Sequence, residues 1–182
     1  GVVGGCIAAC LMFAMSYSRI GAVRRHLTRA STASNVDHGA TATALLQANG
    51  SAIHVFWLSG YVFFGSSDSV FEQVRGAIEA PGTPKLRYAV IDFTGVTGVD
   101  ASAIMSFVKL KNFADRQGVT LVFTGVTKDM AQTFAHDGFF SGKSRHRSFP
   151  TRSDGIEWAE RELLRVLLPQ RASAETGGFE SW

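Results

Sequence analysis

The first stretch of the chain is apolar without interruption. Residues 2 to 17, VVGGCIAACLMFAMSY, carry no charge and are rich in Gly, Ala and Cys. At the helical rise they make about 24 Å, short of a full bilayer span. The stretch starts at Gly1 rather than at a methionine, and its small residues suit helix packing in a bilayer. We therefore read residues 1–18 as the end of a transmembrane helix. A signal peptide would place basic residues before the apolar run. Here Arg19, Arg24, Arg25 and Arg29, with His26, come after it, as at a cytoplasmic membrane exit with Tyr17 as interfacial aromatic.

Residues 28 to 51 are mostly Ala, Ser, Thr, Asn and Gly, with a short apolar patch at Leu45 and Leu46. This composition predicts a connector with a helical turn or two around Thr43 to Gln47. Residues 19–51 are thus expected to be a basic juxtamembrane segment and linker.

From Ile53 the pattern changes. IHVFWLSG and YVFFG are β-type runs, and Ser59-Gly60 between them reads as a hairpin turn. Ser66, Ser67 and Asp68 offer caps to a helix whose Val70, Phe71, Val74, Ala77 and Ile78 recur at helical spacing, and PGTP at 81–84 ends it. LRYAVIDF, residues 86 to 93, is a near-continuous apolar run, as in a strand buried on both faces. TGVTGV reads as a loop. After it Ile104, Phe107, Val108 and Leu110 form one helical stripe opposite Lys109, Lys111 and Arg116, and Gly118 closes the helix. VTLVFTGV predicts the next buried strand, KDMAQTFAHDGFF a shorter helix closed by Gly138, RSFP an edge strand, and DGIEWAERELLRVLL a last amphipathic helix. Alternating strands and helices imply an α/β fold with a central, mostly parallel β-sheet and flanking helices over residues 52–168. Residues 169–182 form a linker or tail.

Hydrophobic residues at 46% and charged residues at 18% support a packed core. The net charge of +3 raises nucleic-acid binding, but the arginines after the apolar run have no interleaved aromatics to stack bases. A second basic cluster contains Lys143, Arg145, His146, Arg147 and Arg152. Cys6 and Cys10, the only cysteines, lie within the apolar start and form neither a disulfide framework nor a zinc set. His54 and His136 are too far apart in sequence to suggest a metal pair. No nucleophile elbow and no phosphate-binding glycine loop occurs, so we expect no enzyme activity, no cofactor and no metal.

The order YVFFGSS, YAVIDFTGVTGVDASAIMSFVKL, GVTLVFTGV, DGFF and DGIEWAERELL resembles the STAS domain, shared by sulfate-transporter C-termini and bacterial anti-sigma-factor antagonists. GYVFFGSS, SYSRIGAVRR at the membrane exit and SNVDHGA resemble the SulP sulfate permease branch. The resemblance implies a STAS fold preceded by a partial transmembrane helix, acting as the cytoplasmic regulatory domain of an anion transporter of the inner (plasma) membrane. It implies as partners the membrane core of the same transporter, a second copy in a homodimer, and a regulatory protein or nucleotide, but no nucleic acid. The antagonist branch presents an Asp-Ser-Ser-Gly phrase whose second serine is phosphorylated. Here the phrase is Asp100-Ala101-Ser102-Ala103, which keeps the aspartate and that serine and replaces the other serine and the glycine with alanine. The alternative is accordingly a signalling module switched by phosphorylation at Ser102.

Elementary chemistry reads the same loop independently. A helix N-terminus leaves N–H groups unpaired, and Asp100 as cap, or Ser102 one turn in, can accept from them. Those groups also favour a phosphate or another anion. Asp92, Asp100 and Ser102, all expected outside the carboxyl ends of central strands, are the candidate regulatory or partner-contact residues, with Asp92 open to two readings: a tie that holds the strand-end loop by accepting backbone N–H bonds, or part of a nucleotide or protein contact.

Overall fold

The computed structural model describes residues 2–18, 23–28, 40–81, 84–136, 139 and 144–176. Arg19 and Arg29 of the basic flank, residues 34–39 of the linker phrase, Gly138 as helix cap, Lys143 and residues 177–182 lie outside these.

Five strands form one mixed sheet in sequential order. β1 (Val23–Thr28) pairs antiparallel with β2 (Ile53–Val62), and β2, β3 (Tyr88–Val99), β4 (Thr120–Thr124) and β5 (Arg147–Phe149) run parallel. Parallel neighbours need crossovers, and crossovers of one hand that advance in one direction fall on one face. α3 (Phe64–Glu79), α4 (Ala101–Gln117) and α5 (Lys128–His136) are those crossovers. They cover Phe56, Leu58, Ile91, Phe93, Leu121 and Phe123. There Phe93, Phe107, Phe123 and Phe134 meet with ring centroids 5.5–6.4 Å apart, within the favoured range for tilted and edge-on pairs. The alternate strand positions, Ile53, Val55, Val90 and Val122, pack under α2 (Ala40–Ala48) and α6 (Arg152–Thr176).

The helical stripes match their sequence pattern. Val70 and Val74 of α3, and Ile104, Phe107 and Leu110 of α4, are buried. Gly118 ends α4 at φ 71°, and its N–H donates to the Ala114 and Asp115 carbonyls, as an αL cap does. α3 starts earlier than the sequence implies. Ser66 Oγ accepts from Phe63 N–H at 3.0 Å and donates back to the Phe63 carbonyl at 3.1 Å, so the serine braces the first turn from inside it.

Three expectations are corrected. Ser59-Gly60 is not a hairpin turn: β2 runs straight through, with register irregularities between Trp57 and Ser59 and between Gly60 and Tyr61, and with Gly60 at φ 79°. TGVTGV is not a loop but the second half of β3, paired with residues 59–62. Its glycines permit the pairing: a Cβ on Gly95 would lie 2.8 Å from the Leu58 carbonyl oxygen, and one on Gly98 2.7 Å from the Tyr61 ring. The antiparallel partner of β2 comes instead from the segment read as basic flank and linker. Residues 23–28 are β1, residues 40–48 are a helix whose Leu46 is wholly buried, and α6 continues past residue 168. On the N-terminal side, the sheet and the helices that cover it therefore use chain from before residue 52.

α1 (Val2–Ser18) carries exposed apolar side chains, Val2 at 82% and Met12 at 73% among them. Among the described residues no helix is long and apolar enough to cross a membrane.

Candidate functional site

Strand length separates the candidate residues. β4 pairs with β3 only as far as Asp92 opposite Thr124, whereas β2 and β3 continue together to Val62 and Val99. At the usual rise the extension carries Asp100 on the order of 25 Å from Asp92 along the strand. The structure joins Asp100 to Ser102 and leaves Asp92 apart, which corrects the expectation that all three share one strand-end surface.

Asp92 is wholly buried. Its Oδ1 accepts from Thr94 N–H at 3.1 Å, Thr94 Oγ–H at 2.6 Å and Thr124 Oγ–H at 3.0 Å. Its Oδ2 accepts from Arg152 Nη1 at 3.3 Å, in the first turn of α6. The guanidinium carbon of Arg152 lies 3.9 Å from the centroid of the Trp57 ring. A buried carboxylate held by three hydrogen bonds and an ion pair ties β2, β3, β4 and α6 together. With no exposed surface, Asp92 acts on its surroundings through these neighbours.

Asp100 and Ser102 form the accessible site. Asp100 N–H donates to the Val62 carbonyl at 3.0 Å, which anchors the loop to the end of β2. Its backbone is extended, and its Oδ1 accepts from Ala103 N–H at 2.7 Å, so it is the N-cap of α4. The same oxygen accepts from Ser102 Oγ–H at 2.6 Å. Asp100 thus does what the sequence anticipated for a cap, and Ser102, exposed, completes the cap rather than capping alone. Tyr61, Phe64 and Met105 are exposed apolar side chains around this pair. Tyr61 and Phe64 flank the Val62 anchor, and Met105 lies one turn along α4 from Ser102. Beside them an open cleft of about 320 Å³ is bounded by Tyr61, Gly98, Val99, Thr127, Asp129 and Met130.

Two further polar clusters escaped sequence reasoning. His146, fully buried, accepts Leu121 N–H on Nδ1 at 3.0 Å while its Nε2 lies 3.3 Å from Asp115 Oδ1. Burial lowers its pKa, against the raising effect of Asp115, with Lys111 and Arg145 also lowering it. His26 Nε2 and His54 Nδ1 lie 2.8 Å apart. Among the described residues no group of three or more His, Cys, Asp or Glu side chains is placed to hold a metal ion.

A family model described as the STAS domain matches residues 45–153. The vacuolar basic amino acid transporter VSB1 of Saccharomyces cerevisiae is 21% identical over 172 residues, which cover 90% of this chain and 16% of that protein. The chain thus spans a small part of the curated relative's length. Among solved structures, the murine Slc26a9 anion transporter in its inward-facing state aligns with a TM-score of 0.61 at 17% identity, over 87% of this chain and 25% of that one. RsbS of Moorella thermoacetica aligns with a TM-score of 0.51 at 18% identity, over 63% of this chain and 92% of that one. At these identities the structural likenesses speak for the fold.

Proposed function

This chain belongs to the STAS domain family, and from that membership we propose that it is the non-enzymatic cytoplasmic regulatory domain of a SulP-type anion transporter, joined to a membrane core at its N-terminal end. The observation that carries the reading is the junction. α1 has no charged residue and exposes apolar side chains, and the chain beyond it enters the sheet as edge strand β1. Exposed apolar surface of that extent fits a lipid or helix-bundle environment better than water. The yeast and murine transporters similar to this chain support the reading, since each is a membrane transporter of which the matched region is a minor part. Sequencing the gene upstream of Gly1 tests it: about a dozen hydrophobic spans are expected. Anion uptake by the whole protein in vesicles, abolished or retuned when residues 40–176 are deleted, is the functional counterpart. A gene with no upstream spans would end the proposal.

The Asp100–Ser102 site supports a second reading, a partner-contact loop switched by phosphorylation. Ser102 Oγ is exposed, and it donates to the Asp100 carboxylate. Phosphorylation removes that proton and sets a dianion against the carboxylate, while the α4 N-terminus attracts it. The cap would then have to rearrange among Tyr61, Phe64 and Met105. Phosphopeptide mapping of the native protein tests this. Phosphate at Ser102, with altered partner capture that Ser102→Ala abolishes, is the expected result, and an unmodified Ser102 under every growth condition is the contrary one.

A further inference from the structure

β1 is an edge strand of six residues, held to the sheet through β2 alone. Its register places His26 opposite Phe56 and Thr28 opposite His54. The His26 ring lies flat on Phe56, with centroids 4.4 Å apart and planes 9° from parallel. Phe56 is fully buried, so this imidazole roofs the edge of the core. His26 Nε2 and His54 Nδ1 are 2.8 Å apart, a hydrogen bond in which one nitrogen donates and the other accepts. When both rings are charged, two N–H groups point at each other and the bond is gone.

We propose that the His26–His54 pair is an acid-sensitive latch, whose protonation releases β1 from β2 and so loosens the connection between α1 and the rest of the sheet. Among the described residues, the groups placed against the pair by register or contact are Phe56 and Thr28 from the strands, Ala89 of β3 opposite His54, and the Ser51 backbone in the turn before β2. None of these supplies a counter-charge. Burial lowers the pKa of both rings. For His54 the neighbouring His26 charge lowers it further and the Ser51 backbone acts the other way, leaving it at about 4. The Phe56 ring face would favour a charged His26, but burial is the influence that sets the direction.

The sign follows from linkage. A ring freed by opening binds its proton near the ordinary value of about 6.5, whereas the docked ring resists it. Docking of β1 is therefore strongest above that value and weakens as the pH falls toward 4. The pair sits where chain from α1 enters the sheet, so the weakening is felt at the junction and not at the Asp100 loop.

Hydrogen exchange on the 182-residue chain in detergent micelles tests the latch. Between about pH 7.5 and about pH 5, amides of residues 23–28 and 53–58 are expected to lose protection roughly tenfold after correction for intrinsic rates. Amides of β4 should hold theirs. The double variant His26→Phe with His54→Gln keeps a ring on Phe56 and removes both titrations, so its β1 protection should be independent of pH. Equal β1 protection at both pH values in the native chain overturns the latch even if the variant does not fold. So does a folded variant that keeps the native pH response.

Discussion

Arg152 and Asp92, sixty residues apart in the chain, meet at 3.3 Å, with the guanidinium lying over Trp57 and the carboxylate sealed from solvent. This contact clamps α6 onto the sheet at the point where β4 ends and β3 goes on. Its unequal burial sets its value: the buried acid depends on the arginine more than the half-exposed arginine depends on the acid.

Arg152→Ala should therefore destabilise the domain by about 2–3 kcal/mol, because it strands a buried carboxylate that retains only its neutral donors. Arg152→Lys should recover part of that by restoring a cation without the flat stack on Trp57. Urea denaturation of the three proteins checks the order.

Gly125 stands at φ 65°, and a Cβ there would lie 2.8 Å from the Thr94 backbone nitrogen. Gly125→Ala is expected to cost about 2 kcal/mol or more, since it combines a left-handed backbone with a contact that rigid main chain cannot relieve. Because Thr94 donates twice to Asp92, the amide signal of Thr94 should shift in the variant. An alanine variant as stable as the native protein would contradict this.

At the accessible site the two polar residues should behave differently. Asp100→Ala removes the α4 cap and should cost about 1 kcal/mol, with Asp100→Asn retaining most of it. Ser102→Ala, at an exposed hydroxyl, should stay within about 0.5 kcal/mol of native. Thermal melts distinguish a stability role for Asp100 from a contact role for Ser102.

His146 must be neutral at Nδ1 to accept Leu121 N–H, and burial lowers its pKa. Its folded state disfavours the proton that the unfolded chain binds, so its contribution is complete above about pH 6.5 and is lost as the pH falls below it. The melting temperature should drop on acidification. His146→Gln, which keeps an acceptor and removes the titration, should lower stability at neutral pH but flatten the decline. An unchanged slope would sink this assignment.

What could be read from residues in order is what local geometry dictates. The stripes of α3 and α4, the αL cap at Gly118 and the Asp100 cap follow from 3.6-residue spacing and from the needs of helix ends, which involve neighbours within one turn. The family resemblance rests on such phrases and holds. Ser59-Gly60 and TGVTGV misled because a glycine that admits a turn equally admits a bulge or a close strand partner, and only the neighbouring strand determines which. β1 was read as a membrane flank because VRRHLT has no apolar alternation of its own, and the unpaired edge of β2 is what makes it a strand. The contacts of Asp92 with Arg152, of His146 with Leu121 and of His26 with His54 join residues 25 to 60 positions apart. Sequence alone determined that helices form over the α3, α4, α5 and α6 stretches and which faces of α3 and α4 turn inward, because that spacing is local. The tertiary structure decided which polar groups meet, because burial lets a charged or hydrogen-bonding side chain persist only beside a partner that the fold itself delivers.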